Sequence, residues 1–160
     1  MRDYKIEAVM HICEMAELSL EDRKLVKAAK LATAGSYAPY SKFYVGAAVR
    51  LQDGTIITGA NQENAAYPSG LCAERTALFA AGAQHPDQPI VALAIAARKG
   101  RRFLSQPVSP CGACRQVISG MEERFAVPIR ILLYGTDGIL VAEGISPLLP
   151  LRFVNEDMRL

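Results

Sequence analysis

Histidine is scarce in this chain: His11 and His85 are the only two among 160 residues. Neither has a partner at ligand spacing, so a metal site built on imidazoles is not expected. Long apolar runs are missing as well. The longest, "IVALAIAA" at residues 90–97, is far short of the roughly 20 residues that a membrane-crossing helix needs. The start, "MRDYKIEAVMHICEMAEL", mixes charges into every turn and lacks the apolar stretch and cleavage site of a secretory signal. A large charge of one sign is also absent. The formal net charge of +2 is too small to point to a nucleic acid or a membrane surface, so neither is expected as a partner. The only basic cluster, "RKGRR" at residues 98–102, reads as a solvated loop. No repeat, low-complexity tract or linker divides the chain, and residues 1–160 are read as a single domain. The expected location is the cytoplasm. In a reducing compartment the four cysteines, Cys13, Cys72, Cys111 and Cys114, are free thiols or metal ligands rather than disulfides.

What is present is a pattern of alternation and turns. "KIEAVMHI" alternates apolar residues at Ile6, Ala8, Met10 and Ile12, a weak strand signal, and a helix through Val9, Cys13 and Ala16 competes with it. "SLEDRKLVKAAKLATAG" reads as a helix, with Ser19 as its cap, Asp22 at capping-box spacing and Gly35 as its stop. "FYVGAAVRLQDGTIITGAN" predicts a hairpin that turns at Asp53 and Gly54. "CAERTALFAAGA" predicts a helix over residues 72–83, followed by the buried strand at 90–97. "CGACRQVISGMEERF" places Val117, Ile118 and Met121 on one helical face, and "PIRILLYG" and "GILVAEG" are two further strands. Five strands that open with a hairpin and then alternate with helices argue for a layered α/β domain with a mixed sheet.

Cys72, Cys111 and Cys114 all fall where a loop enters a predicted helix. Unpaired N–H groups there favour a thiolate over a thiol. Three thiolates can hold one zinc ion and leave its fourth position open, which is the arrangement of a catalytic site. Taken alone, "PCGAC" is equally compatible with a redox dithiol or a structural zinc knot. A closed knot would need Cys13 as its fourth ligand. Glu74, two positions after Cys72, tips the balance. A carboxylate beside an open zinc position can take a proton from water and pass it to a substrate. The combination of C-x-E with P-C-x-x-C is the signature of zinc nucleobase deaminases in its cysteine variant.

"CAERTAL" and "SPCGACRQV" closely resemble the two signature segments of cytidine deaminases of the small homotetrameric type. The likeness extends to "YAPYSKFYVGAAV", "TGANQENAAYPSG" and the tail "LLPLRFVNED", leaving residues 1–20 as an N-terminal extension. The resemblance implies a three-layer α/β/α domain with a mixed five-stranded sheet. It also implies hydrolytic deamination of cytidine and 2′-deoxycytidine in pyrimidine salvage. Cys72, Cys111 and Cys114 resemble the ligands of one zinc ion per subunit, Glu74 the proton shuttle and Arg75 the arginine that bonds the ligand sulfurs. Asn61 and Glu63 resemble the pair that binds the ribose 3′-hydroxyl, and Phe43 the aromatic lining of the base pocket. The backbone at Ala73 and Ser109 resembles the segments that touch the pyrimidine edge and the departing amine. Tyr67 and Phe153 resemble residues that reach a neighbouring subunit's site, which implies a homotetramer with composite active sites. The departures are Tyr44, Ala66, Asn155 and the basic stretch near residue 100, and none touches an expected ligand. A transfer-RNA deaminase is the rival enzyme, and a zinc or dithiol interaction module is the non-enzymatic one.

Overall fold

The chain begins its regular structure with a short strand, β1 (His11–Cys13), and helix α1 (Leu20–Ala32). A hairpin follows, made of β2 (Phe43–Leu51) and β3 (Ile56–Ala60). Helix α2 (Ala73–Gln84) leads to β4 (Ile90–Lys99) and the brief β5 (Arg102–Phe103). Helix α3 (Gly112–Phe125) then leads to β6 (Arg130–Gly135) and β7 (Gly138–Glu143). The computed structural model describes residues 1–158.

All seven strands join one sheet in the order β1-β7-β6-β4-β2-β3, with β5 paired to the end of β4. The pairings are antiparallel except that of β4 with β6, the crossover spanned by α3. The sheet therefore has seven strands and not the expected five. The two extra strands are three and two residues long. β5 carries too few positions for an alternation to register, and β1 gives only a weak strand signal. Of the alternating stretch at residues 5–12 only the end becomes strand, and the competing helix does not form.

Alternation along the central strands sets the layers. Val49 and Leu51 of β2, Leu93 and Ile95 of β4, and Ile131 and Leu133 of β6 pack against Ala77, Leu78 and Ile118 of α2 and α3. The intervening residues point the other way. Ala48, Ala92, Ala94, Ala96 and Leu132 meet Leu25, Val26 and Ala29 of α1. The run "IVALAIAA" is thus large on one face and small on the other, and the alanines let α1 lie close to the sheet. Each fully buried leucine or isoleucine contributes about 1.5–3 kcal/mol relative to exposure. The result is the expected α/β/α arrangement.

Ser19 caps α1, accepting from the Asp22 N–H at 3.1 Å. The Asp22 carboxylate does not complete the capping box. It is buried, and it accepts from Arg50 Nη1 and Arg130 Nε at 3.0 Å each. Two guanidinium groups on the sheet outcompete one backbone N–H for it. No helix among the described residues is long and apolar enough to cross a membrane.

Candidate metal centre and nucleoside site

Helices α2 and α3 lie side by side on one face of the sheet, and each begins with a cysteine. Cys72 is the N-cap of α2 and Cys111 the N-cap of α3, yet neither thiol caps its own helix. Both side chains are left free to turn toward each other. Cys114, buried in the first turn of α3, completes a triad whose sulfurs lie within 4.8 Å of one another. Sγ of Cys111 stands 3.8 Å from that of Cys72 and 3.5 Å from that of Cys114. A disulfide needs about 2.05 Å, so these are free thiols. Ligands about 2.3 Å from a tetrahedral zinc ion are separated by about 3.8 Å. The donor set therefore fits a zinc ion in both chemistry and spacing.

Electrostatics around the triad favour a sulfur anion at Cys72. The Cys72 pKa is pulled down to about 5, by hydrogen bonding from Cys114 first and then by Arg75 and Cys111, against the opposing effect of burial. Cys114 moves up, because its thiol keeps its proton to donate to Cys72 and because the site is buried. Arg75 donates to Cys72 Sγ at 3.6 Å, and its buried Nε has no protein partner among the described residues. A buried cationic donor of that kind suits a cluster of thiolates. Cys13 is elsewhere. It lies in β1 and packs with the α1 layer, so it cannot close the triad from the opposite face of the sheet.

Glu74 is only 5 % exposed and sits in the first turn of α2. Burial raises its pKa most, and the charge of Cys72 adds to that. Ala73, just before it, is fully buried, whereas Ser109 is exposed in the loop before Pro110. That loop is pinned by Thr136 and Asp137, whose N–H groups donate to Leu104 and Ser105. Gly135 is required there, because a Cβ would collide with Ser105 and would stand 2.8 Å from Pro107 Cδ.

Next to Cys72 and Arg75 opens a cavity of about 580 Å³, lined by Asn61, Glu63, Tyr40 and Ser41, with Tyr67 at its rim. Asn61 follows β3, and its side-chain amide continues the sheet ladder. Nδ2 donates to the Phe43 carbonyl at 3.0 Å, and Oδ1 accepts from the Val45 N–H at 2.8 Å. Phe43 is held at the start of β2, in phase with Val45 and Ala47 and so on the face of α2 and α3. Glu63 accepts from the N–H groups of Tyr40 and Ser41 at 2.9 and 3.3 Å, and from the Ser41 hydroxyl. These bonds, that of Ser41 first, hold its carboxyl below the usual range. Tyr40 and Ser41 were not among the expected site residues. Their only sequence signal is a serine two positions before Phe43, the spacing of a serine turn.

Tyr67 is 72 % exposed, touching Tyr40 edge to face with ring centroids 5.7 Å apart. Phe153 is not brought to the cavity of its own chain. It lies on the tail over α3, where Gln116 donates to its carbonyl at 2.8 Å. The basic cluster is partly committed to the fold: Arg98 donates to the Thr33 hydroxyl and carbonyl and stacks on Tyr44.

A family model described as "Cytidine and deoxycytidylate deaminase zinc-binding region" matches residues 19–127. The chain is 43% identical over 139 residues to a cytidine deaminase of Halalkalibacterium halodurans, spanning 87% of this chain and 98% of that one. The crystal structure of cytidine deaminase from Burkholderia pseudomallei is similar at 41% identity and a TM-score of 0.69, covering 81% of this chain and 97% of that one. That of Mycobacterium tuberculosis is similar at 32% and 0.66, covering 85% and 99%.

Proposed function

Since the chain belongs to the cytidine deaminase family, we propose that it deaminates cytidine and 2′-deoxycytidine to uridine and 2′-deoxyuridine. Ammonia is released, and the reaction serves pyrimidine salvage. One observation carries this reading: a buried carboxylate follows, by two residues, a thiol shared between a zinc-spaced triad and a polar cavity. Cys72, Cys111 and Cys114 hold one zinc ion per subunit, which when bound polarises water and lowers its pKa. Glu74, shielded from solvent, accepts a proton from the attacking water and passes it to ring N3 as the hydroxide bonds to C4. It then carries the hydroxyl's remaining proton to the amine as the C4–N bond breaks. Arg75 offsets the negative charge of three thiolates. Asn61 and Glu63 read the 3′-hydroxyl, which ribose and deoxyribose share. Phe43 lines the base, and the backbone at Ala73 and Ser109 meets the pyrimidine edge and the amine. Tyr67 and Phe153 complete a neighbour's site in a homotetramer. Reduced thiolate ligands suit the cytoplasm.

The test is loss of ultraviolet absorbance with cytidine, deoxycytidine, cytosine and CMP, with and without a chelator. Turnover of both nucleosides, abolished by the chelator and restored by zinc, is the expected outcome. Glu74→Gln should keep its zinc and lose about 10²–10⁴-fold in kcat, the range for a positioned acid–base group. Near-normal turnover in that variant would remove the proton-shuttle role.

A further inference from the structure

The Ser41 hydroxyl holds two partners at once. It accepts from the Phe43 N–H at 3.0 Å, so its own proton goes to Glu63 Oε1. One side chain therefore joins the carboxylate on the sugar side of the cavity to the backbone of the residue on the base side. The loop between them is tightly constrained. Lys42 takes a left-handed φ of 56°, uncommon for a residue other than glycine.

The acceptors can be counted. A carboxylate offers about four acceptor positions. Oε2 is occupied by the N–H groups of Tyr40 and Ser41, and Oε1 by the Ser41 hydroxyl. A single acceptor position remains, on Oε1. Asn61 has spent one donor on Phe43 and one acceptor position on Val45, leaving one N–H and one acceptor position of Oδ1. Together the two side chains can bind one hydroxyl, which donates to Glu63 and accepts from Asn61.

We propose that Ser41 is a positioning residue for sugar recognition: its hydroxyl locks the Glu63 carboxylate so that its one spare acceptor faces the nucleoside's 3′-hydroxyl. The inference rests on the nucleoside reading above. Without the hydroxyl, Oε1 has two open positions and the carboxylate is held at Oε2 alone, while the Phe43 N–H loses its partner.

The experiment compares Ser41→Ala and Ser41→Thr with the wild type on cytidine and on 2′,3′-dideoxycytidine, which lacks the hydroxyl. In Ser41→Ala the KM for cytidine should rise about tenfold with kcat within about twofold, a change the size of one net hydrogen bond. Turnover of the dideoxynucleoside should be nearly unchanged, so the preference for cytidine over it falls about tenfold as well. Ser41→Thr, which keeps a hydroxyl, should retain that preference. Thermal unfolding of each variant checks that the fold survives. Three results overturn the inference: a Ser41→Ala variant with the wild-type preference, one that loses equally on both substrates, or a Ser41→Thr variant as impaired as the alanine. A wild-type protein inactive on every nucleoside would instead remove the premise. That outcome differs from failure of Ser41 alone, in which the wild type is active and the variant keeps its preference.

Discussion

A single side chain, Asp22, ties α1 to two strands that are not neighbours. Its Oδ1 bonds Arg50 of β2 and its Oδ2 bonds Arg130 of β6, while Asp22 itself is only 4 % exposed. Arg130 also pairs with Glu143 of β7, so four elements share the network. Breaking such a cluster from its centre leaves two guanidinium groups without their shared anion, and the burial of Asp22 limits how far water can substitute. Because Arg130 is a third exposed, the cost should fall below the buried-pair range. Asp22→Ala is expected to destabilise the fold by about 2–3 kcal/mol, lowering Tm by about 2–4 °C per kcal/mol for a chain of this length. The network lies on the α1 side of the sheet, away from the triad of Cys72, Cys111 and Cys114. Well below the transition, kcat/KM should therefore stay at the wild-type level. Chemical denaturation and steady-state kinetics on one preparation check both halves. A loss of activity that outruns the loss of stability would show that this network reaches the site.

Among the elements, α2 carries the most chemistry, and its seat is a glycine. A Cβ on Gly59 of β3 would stand 2.5 Å from the Ala77 nitrogen and 2.6 Å from the Ala73 carbonyl oxygen. Those are backbone atoms of α2 and cannot give way singly. Gly59→Ala should therefore lift the whole helix, with Cys72 at its cap and Glu74 in its first turn. The expected cost is about 1–3 kcal/mol of overpacking, together with weaker zinc retention in competition with a chelator. Gly120→Ala is the control, since a Cβ there meets nothing within 4 Å. It should be neutral or stabilising by up to about 1 kcal/mol, as alanine is in a helix interior. Wild-type zinc affinity in Gly59→Ala would mean that α2 does not need this seat. The same element shows what a sequence can disclose. The helix, its cysteine cap and Glu74 were legible because they depend on local pattern and short spacing. The main strands were legible too, through alternation and the turn at Asp53 and Gly54. The edge strand β1 was legible only as a weak signal, since it takes up just the end of the alternation at residues 5–12 and its three residues are exposed or half-buried. The partners of Asp22 and the tie between Ser41 and Glu63 were not legible. Each joins residues far apart in the chain and exists only once the sheet has brought them together.

At the scale of the whole molecule, the aromatic residues proposed for a neighbour's site are among those the single chain leaves uncovered. Tyr67 and Phe153 are 72 % and 58 % exposed, and Leu151, two residues before Phe153, is 74 % exposed. Tyr67 stands at the rim of the cavity, whereas Phe153 is held over α3 by Gln116. Covering large side chains of this kind is worth about 1.5–3 kcal/mol each. Placed apart on the surface, they favour an assembly with more than one kind of contact, as in the proposed homotetramer. Light scattering behind size exclusion should give a mass near four times 17.3 kDa. If Phe153 completes a neighbour's site, Phe153→Ala should lower kcat/KM while leaving zinc content close to wild type, because its ring is mostly exposed within its own chain. Diluting the wild type to concentrations where the assembly dissociates should produce the same loss, since each chain would then lack the residue its neighbour supplies. A monomer with full activity at micromolar concentration would refute the composite site while leaving the zinc triad and Glu74 untouched, because those lie entirely within one chain.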